Sequence, residues 1–356
     1  MTSLPTSKNP IIRLVTPILV ILGLGYLDFV AYYSLGYQEI YRYHGKGIAI
    51  SLWVLISIFQ VLTFIYWGAI ILAGPGRYPR ENPYDLYGTG EGGPVPDYFI
   101  CDDSGFPIWC SNCQSIKIPR SKHLSRSNRC VPKADHFCLW VGDSLGQNNY
   151  RFFLKYLLWF DSYFITILCY LAVYTPSNYQ RGEINHNFIV LYVQCGFWIL
   201  MISLLIGSNI LYLMYNMTTI DDLAEKAAKR KNRSKNSESH VDNNVFLNVK
   251  HENLRLVIQC SVFDRLYNFG FKHNFINVFL YDNTTQLYSE DKYTTQKFIL
   301  SIAICFIPFL DIFFRRPKND NFYPALSPKF QQHIEEKINN KRCYLPSYVS
   351  QKEPRE

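Results

Sequence analysis

IAISLWVLISIFQVLTFIYWGAIILA, residues 48–73, runs for 26 positions without a charged side chain. About 20 mostly apolar residues at ~1.5 Å rise each cross the hydrocarbon of a bilayer, so this stretch is read as a transmembrane helix. Working outward, Leu14 to Leu35 is similar and has one internal acid, Asp28. Phe152 to Tyr174 carries Lys155 near its start and Asp161 further in, and Phe188 to Tyr215 is uncharged. A soluble protein can bury one such helix, but four are hard to hide. The fold class expected is an all-α polytopic membrane protein with four transmembrane helices. A fifth run, Phe298 to Phe314, is short, contains Pro308 and Asp311 and ends in Arg315-Arg316; it is expected to be an interfacial or packed helix rather than a span. No small-residue cleavage site follows the first run, which is expected to persist in the mature protein.

Composition agrees. Charged residues are 18% of the 356, aromatics 16%, and the net charge is +8, too little charge for a disordered chain. The cations are unevenly placed: residues 74–151 hold nine Lys or Arg, and Lys226, Lys229, Arg230, Lys231, Arg233 and Lys235 follow the fourth run. The loop between the first two runs has only Arg42 and Lys46, and that between the last two only Arg181. Basic flanks face the cytosol, so both termini and segment 74–151 are expected there. The domain reading is an N-terminus over 1–13, spans within 14–73 and 152–215, a loop domain over 74–151 and a tail over 216–356. The sequons at Asn216, Asn232 and Asn283 would then carry no sugar. The basic stretch 226–244 reads as a solvated linker that sets topology, ahead of the alternative that it is drawn to anionic lipid.

Five of the ten cysteines fall between Cys101 and Cys138. In a reducing compartment such clustering points to metal binding or catalysis rather than disulfides. Cys110 and Cys113 form a C-x2-C pair, with His123 ten residues on and Cys130 seven beyond. Three thiolates and one imidazole close a tetrahedral zinc with no open position, which makes the site structural; the competing reading leaves His123 as a surface histidine. Next comes Asp135-His136-Phe137-Cys138, where an imidazole could take a thiol proton and a carboxylate could fix its tautomer.

The segment CSNCQSIKIPRSKHLSRSNRCVPKADHFCLWVGDSLGQNNYRFF, Cys110 to Phe153, resembles the cysteine-rich domain of the Asp-His-His-Cys (DHHC) protein S-acyltransferases, the palmitoyltransferases. Lys117, Arg120, Trp140, Gly146, Asn149 and Phe153 sit at family positions beside the residues already named. Gly74-Pro75-Gly76 is similar to the family's Asp-Pro-Gly, Thr218-Thr219-Ile220-Asp221 to its Thr-Thr-x-Glu, and Phe263-Asp264 with Asn274 to its aromatic C-terminal motif. The resemblance covers about Leu14 to Phe279 and looks fungal in type. It implies a cytosolic zinc-binding cysteine-rich domain between the second and third of four spans.

The departures are patterned. The family's first zinc site corresponds to Cys110, Cys113, His123 and Cys130, all present. Its second corresponds to Leu124, Ser127, Phe137 and Ser144, where no ligand survives. Leu124 and Phe137 are expected to form an apolar plug in place of the metal. By resemblance the missing second histidine is a ligand and His136 is the base, so the chemistry is expected to survive. Leu139 for Pro, and Gly142-Asp143 for Asn-Asn, alter the active loop.

The resemblance further implies two-step acyl transfer: Cys138 attacks palmitoyl-CoA, and the acyl group then passes to a cysteine of a membrane-associated substrate protein. The acyl tail, at ~0.8 kcal/mol per buried methylene, would lie among the spans, with Tyr163 and Trp140 as candidate lining. Arg120, Lys122 and Arg126 are candidates for the CoA phosphates. The rival is a catalytically inactive membrane scaffold with a structural zinc module, favoured by the lost second site and opposed by the complete Asp-His-x-Cys set. Cys101 and Cys343 are read as ordinary or incidentally acylated thiols.

Overall fold

The computed structural model describes residues 10–125, 127–182, 185–233, 244–281, 293–313 and 323–350. They divide into two compact units: Met1–Gly74 with Phe137–Leu211 and Ile304–Leu310, and Pro75–His136 with Tyr212–Ala303 and Asp311–Glu356.

The first unit is helical. Helix α1 (Pro10–Phe29) continues into a π-helix over Val30–Tyr41, and α2 (Lys46–Ala73), α3 (Tyr150–Gln180) and α4 (His186–Tyr215) follow. Four segments, Val15–Tyr41, Lys46–Ala73, Tyr150–Gln180 and His186–Tyr215, are long and apolar enough to cross a membrane. Each covers nearly all of one run read from sequence and extends past it at one end or both. The extra turns carry polar groups that other helices satisfy, which hydropathy alone does not register. Glu39, 1% exposed, accepts hydrogen bonds from Asn178 and Arg181 at the end of α3 and its C-cap, and from His44. A buried carboxylate is tolerated only when paired in this way. Phe29 at the end of α1 and Tyr33, Tyr37 and Tyr41 of the π-helix stack in sequence with ring centroids 5.5–6.0 Å apart. A Cβ at Gly36 would overlap the Trp53 indole, so glycine there lets α2 approach.

A short hairpin, β6 (Phe137–Cys138) and β7 (Asp143–Ser144), is tied to the end of α2. Trp67 Nε1 donates to the Val141 carbonyl at 3.1 Å, and Asn149 Nδ2 reaches the Ser144 and Ile70 carbonyls at 2.9 and 3.3 Å.

The second unit holds the remaining strands. β1 (Tyr98–Cys101), β8 (Asn244–His251), β9 (Leu254–Ser261) and β10 (Cys343–Tyr344) form an antiparallel sheet in that order. Tyr98, Leu247, Ile258 and Cys260 pack against Leu326, Phe330 and Ile334, the last two from helix α9 (Pro328–Asn339), which Ser327 caps by accepting from the Phe330 N–H. Two further hairpins, β2 (Trp109–Cys110) with β3 (Ser115–Ile116) and β4 (Lys122–Leu124) with β5 (Arg129–Val131), carry the cysteines and His123.

Helix α5 (Thr219–Arg233) corrects the linker expected over 226–244: its first eight residues are helical, and 234–243 lie outside the described residues. Asp221 and Asp222 lie in the first turn and the cations toward the last, both favourable to the helix dipole. Lys226 pairs with Asp222 at 2.6 Å, and Ala228 is fully buried. Burial of one face therefore overrides a composition that reads as solvated. The run 298–314 is broken as well: α7 (Thr294–Phe306) ends before α8 (Leu310–Phe313), and α6 (Phe271–Phe279) precedes both. Thirteen residues of α7 rise ~20 Å, short of a bilayer.

Candidate active site and metal centre

The β2–β3 turn presents Cys110 and Cys113, and β4–β5 sets His123 directly opposite Cys130. The four ligand atoms lie within 4.8 Å of one another. His123 Nδ1 is 3.7 Å from Cys110 Sγ and 3.1 Å from Cys113 Sγ, and Cys113 and Cys130 Sγ are 3.7 Å apart. A tetrahedral ion with ~2.3 Å metal–sulfur bonds sets its ligand atoms ~3.5–3.8 Å apart, so the donor set fits a metal held by four protein ligands. His123 is thus brought to the cysteines and is not a stray surface histidine.

The positions of the missing second site are held by hydrogen bonds. Ser127 Oγ donates to the Leu124 and Arg129 carbonyls, closing the β4–β5 turn. Phe137 faces Ser144 across β6–β7. Leu124 and Phe137 are each half-buried, in the second and first unit respectively.

His136 Nδ1 lies 2.7 Å from Asp135 Oδ2, and the Asp135 side chain is 4% exposed. Burial opposes ionisation of this carboxyl, yet the His136 hydrogen bond and charge and the Thr219 backbone N–H outweigh it and hold Asp135 below the usual carboxylate range. An ionised carboxylate only accepts, so His136 Nδ1 is the donor in this pair. The sign follows from the lowered value: stabilisation by this pair is complete above the ordinary ~3.9 and is lost as pH falls through the folded value. Asp135→Asn permits the wrong imidazole tautomer. It is expected to slow acylation ~10²–10⁴-fold with the fold intact, measured as labelling rate alongside circular dichroism.

Thr219 comes from a local motif. Thr218 N–H donates to Asp221 Oδ2 at 2.9 Å and Asp221 N–H to Thr218 Oγ1 at 3.2 Å. This reciprocal capping box starts α5 and aims the Thr219 N–H at Asp135. The same Asp221 accepts from Arg120 at 2.7 Å, and Arg120 also donates to the Asn216 carbonyl at 2.8 Å and lies over the Tyr267 ring. Thr219 was missed as a site residue, although the Thr-x-x-Asp spacing signals it.

Arg120 was expected to meet CoA phosphates and is corrected: its side chain is 9% exposed and committed to Asp221, Asn216 and Tyr267. Arg120→Met is expected to cost ~2–3 kcal/mol, the worth of hydrogen bonds to charged groups, seen as a lowered Tm in detergent. A raised KM for palmitoyl-CoA at unchanged Tm would restore the phosphate role. Lys122 is half-buried, with burial and then Lys117 lowering its ammonium pKa; Arg126 lies outside the described residues.

Cys138 is 6% exposed in β6, and its cross-strand partner Asp143 is 7% exposed. Gly142, at φ +80, turns the hairpin and donates to the Cys138 carbonyl at 2.9 Å. The Gly-Asp departure thus supports a tight turn that only glycine enters without strain. Trp140 is 38% exposed and meets Trp198 edge-on. Tyr163 is 1% exposed and donates to Asp28 Oδ1 at 2.7 Å.

A sequence model of the family described as DHHC palmitoyltransferase matches residues 104–226. Palmitoyltransferase PFA5 of Candida albicans is 35% identical over 385 aligned residues, covering 98% of this chain and 95% of that protein. The chain belongs to the DHHC palmitoyltransferase family. Palmitoyltransferase PFA5 of Candida glabrata is 34% identical, covering 61% of this chain and 63% of its own, and that of Saccharomyces cerevisiae is 28% identical over 61% and 64%. The activity of this DHHC enzyme is protein S-palmitoylation. The family model ends at 226, whereas the whole-chain match includes the sheet and α9.

Proposed function

We propose that this enzyme moves a palmitoyl group from palmitoyl-CoA to a cysteine of a membrane-associated substrate protein through an acyl-enzyme on Cys138. The observation that carries it is the Asp135–His136 pair, with His136 two residues before that thiol and its Nδ1 2.7 Å from the carboxylate; this orientation suits Nε2 to the role of base. In the first half-reaction His136 Nε2 takes the Cys138 Sγ proton. The sulfur attacks the thioester carbonyl, the bond to the CoA sulfur breaks, and His136 returns the proton to the departing thiolate. In the second, the substrate thiol gives its proton to His136 and attacks the acyl-enzyme, and Cys138 leaves and is reprotonated. Each half exchanges one thioester for another, so the protein supplies deprotonation and positioning rather than driving force.

One zinc ion, bound by Cys110, Cys113, His123 and Cys130, would crosslink hairpins whose strands are two or three residues long; its part is structural. The basic flanks support cytosolic termini and a cytosolic active site. The acyl tail would lie among the spans, near Trp140 and Tyr163. The test is to label purified enzyme with an alkynyl palmitoyl-CoA: hydroxylamine-sensitive label chased onto an acceptor cysteine is expected, and label that never transfers would overturn the two-step route.

A further inference from the structure

Residues 304–310 group with the helical unit although they lie between β9 and β10 of the sheet in sequence. Here α7 stops, the chain leaves helical geometry over 307–309, and α8 begins. Phe309 sits at φ +62 after Pro308, a left-handed conformation that costs a non-glycine residue ~1–2 kcal/mol. Its N–H donates to the Tyr66 hydroxyl at 3.1 Å. That hydroxyl also accepts from Lys155 Nζ at 3.3 Å, and the ammonium lies 5.1 Å from the Tyr66 ring. Tyr66 is 3% exposed and Lys155 not at all.

Tyr66 lies seven residues before the end of α2, and Lys155 five after the start of α3. At ~1.5 Å per residue the junction is ~7–10 Å inside those helices. Irregular backbone is tolerated at such depth only where protein groups satisfy it, as Tyr66 does for the Phe309 N–H. Ile304 and Cys305 face inward, while Phe306, Ile307 and Phe309 are 57%, 50% and 42% exposed. Adjoining side chains of that kind are costly against water and suited to lipid tails.

We propose that residues 304–310 are a re-entrant membrane element. The chain returns to the bilayer on the side of the Cys138 hairpin, docks its turn on Tyr66, and presents Phe306, Ile307 and Phe309 to the acyl chains of that leaflet. Lys155 is a positioning residue that holds the Tyr66 hydroxyl, which gives this intramembrane cation a role. The proposal rests on reading α2 and α3 as spans.

The full-length protein is reconstituted in phosphatidylcholine vesicles doped with a phospholipid carrying a photoactivated carbene precursor in its acyl chain, and adducts are mapped by mass spectrometry. Leu204 of α4, 66% exposed, is the internal reference. Adducts on Phe306, Ile307 or Phe309 alongside those on Leu204 are expected. Tyr66→Phe is expected to lower them about fivefold, the loss of one buried hydrogen bond. Labelled Leu204 with a clean 306–309 segment overturns the element and leaves the spans standing; an unlabelled Leu204 overturns both. Acylation of Cys138, scored on the same samples, reports separately on the transferase chemistry.

Discussion

A Cys138→Ala protein is expected to take up no hydroxylamine-sensitive palmitate and to transfer none, its rate falling to that of uncatalysed thioester exchange. Cys138 is the thiol of the Asp-His-x-Cys set and sits in the β6–β7 hairpin, anchored through Trp67 and Asn149. The substitution removes one small buried group, so its cost to stability stays near the ~1 kcal/mol typical of point changes, and loss of label cannot be assigned to unfolding. Two other thiols outside the spans are poor rivals. Burial pushes Cys101 and Cys260 up to about 12, and a protonated thiol is not a nucleophile. Cys343, half-buried at the sheet edge, is the control: if mass spectrometry finds palmitate there at wild-type levels in Cys138→Ala, the acyl-enzyme assignment is lost.

The second large effect is on the metal centre. Cys113→Ala removes a candidate ligand whose sulfur lies 3.1 Å from His123 Nδ1 and 3.7 Å from Cys130 Sγ. Structural zinc is worth ~10–16 kcal/mol in peptides, more than the ~5–15 kcal/mol that holds a typical domain together. The variant is therefore expected to lose the ion, fail to hold β2–β5 and lose all transfer activity. Strong chelator should do the same to the wild type. The Tyr78 N–H donates to the Cys130 carbonyl, so the damage is expected to spread to the segment after α2. Elemental analysis should give one zinc per wild-type chain; two would mean that the positions of Leu124, Ser127, Phe137 and Ser144 are not a lost site.

Much of this was readable before any fold was known. A span is signalled by contiguous apolar residues, and a zinc knuckle by ligands a few positions apart, so both are written locally in the chain. The Asp135–His136 contact is local too. Arg120 shows the opposite case: an isolated cation in a basic loop invites a phosphate, and only its partners Asn216, Asp221 and Tyr267, about a hundred residues on or more, show that it is structural. The segment 226–233 failed for a related reason, since a polar composition hides the one face that burial of Ala228 selects.

Four membrane-length helices, the Cys110–Cys130 cluster that could hold a metal and the Asp135–Cys138 tetrapeptide follow from residue types at short spacing, because bilayer thickness and metal geometry constrain neighbours in the chain. The pairing of β1 with β8, the Thr219 N–H on Asp135 and the Tyr66–Phe309 bond join residues 84 to 243 positions apart. Such contacts depend on which distant surfaces bury each other most completely, and that is settled only when the whole chain has packed.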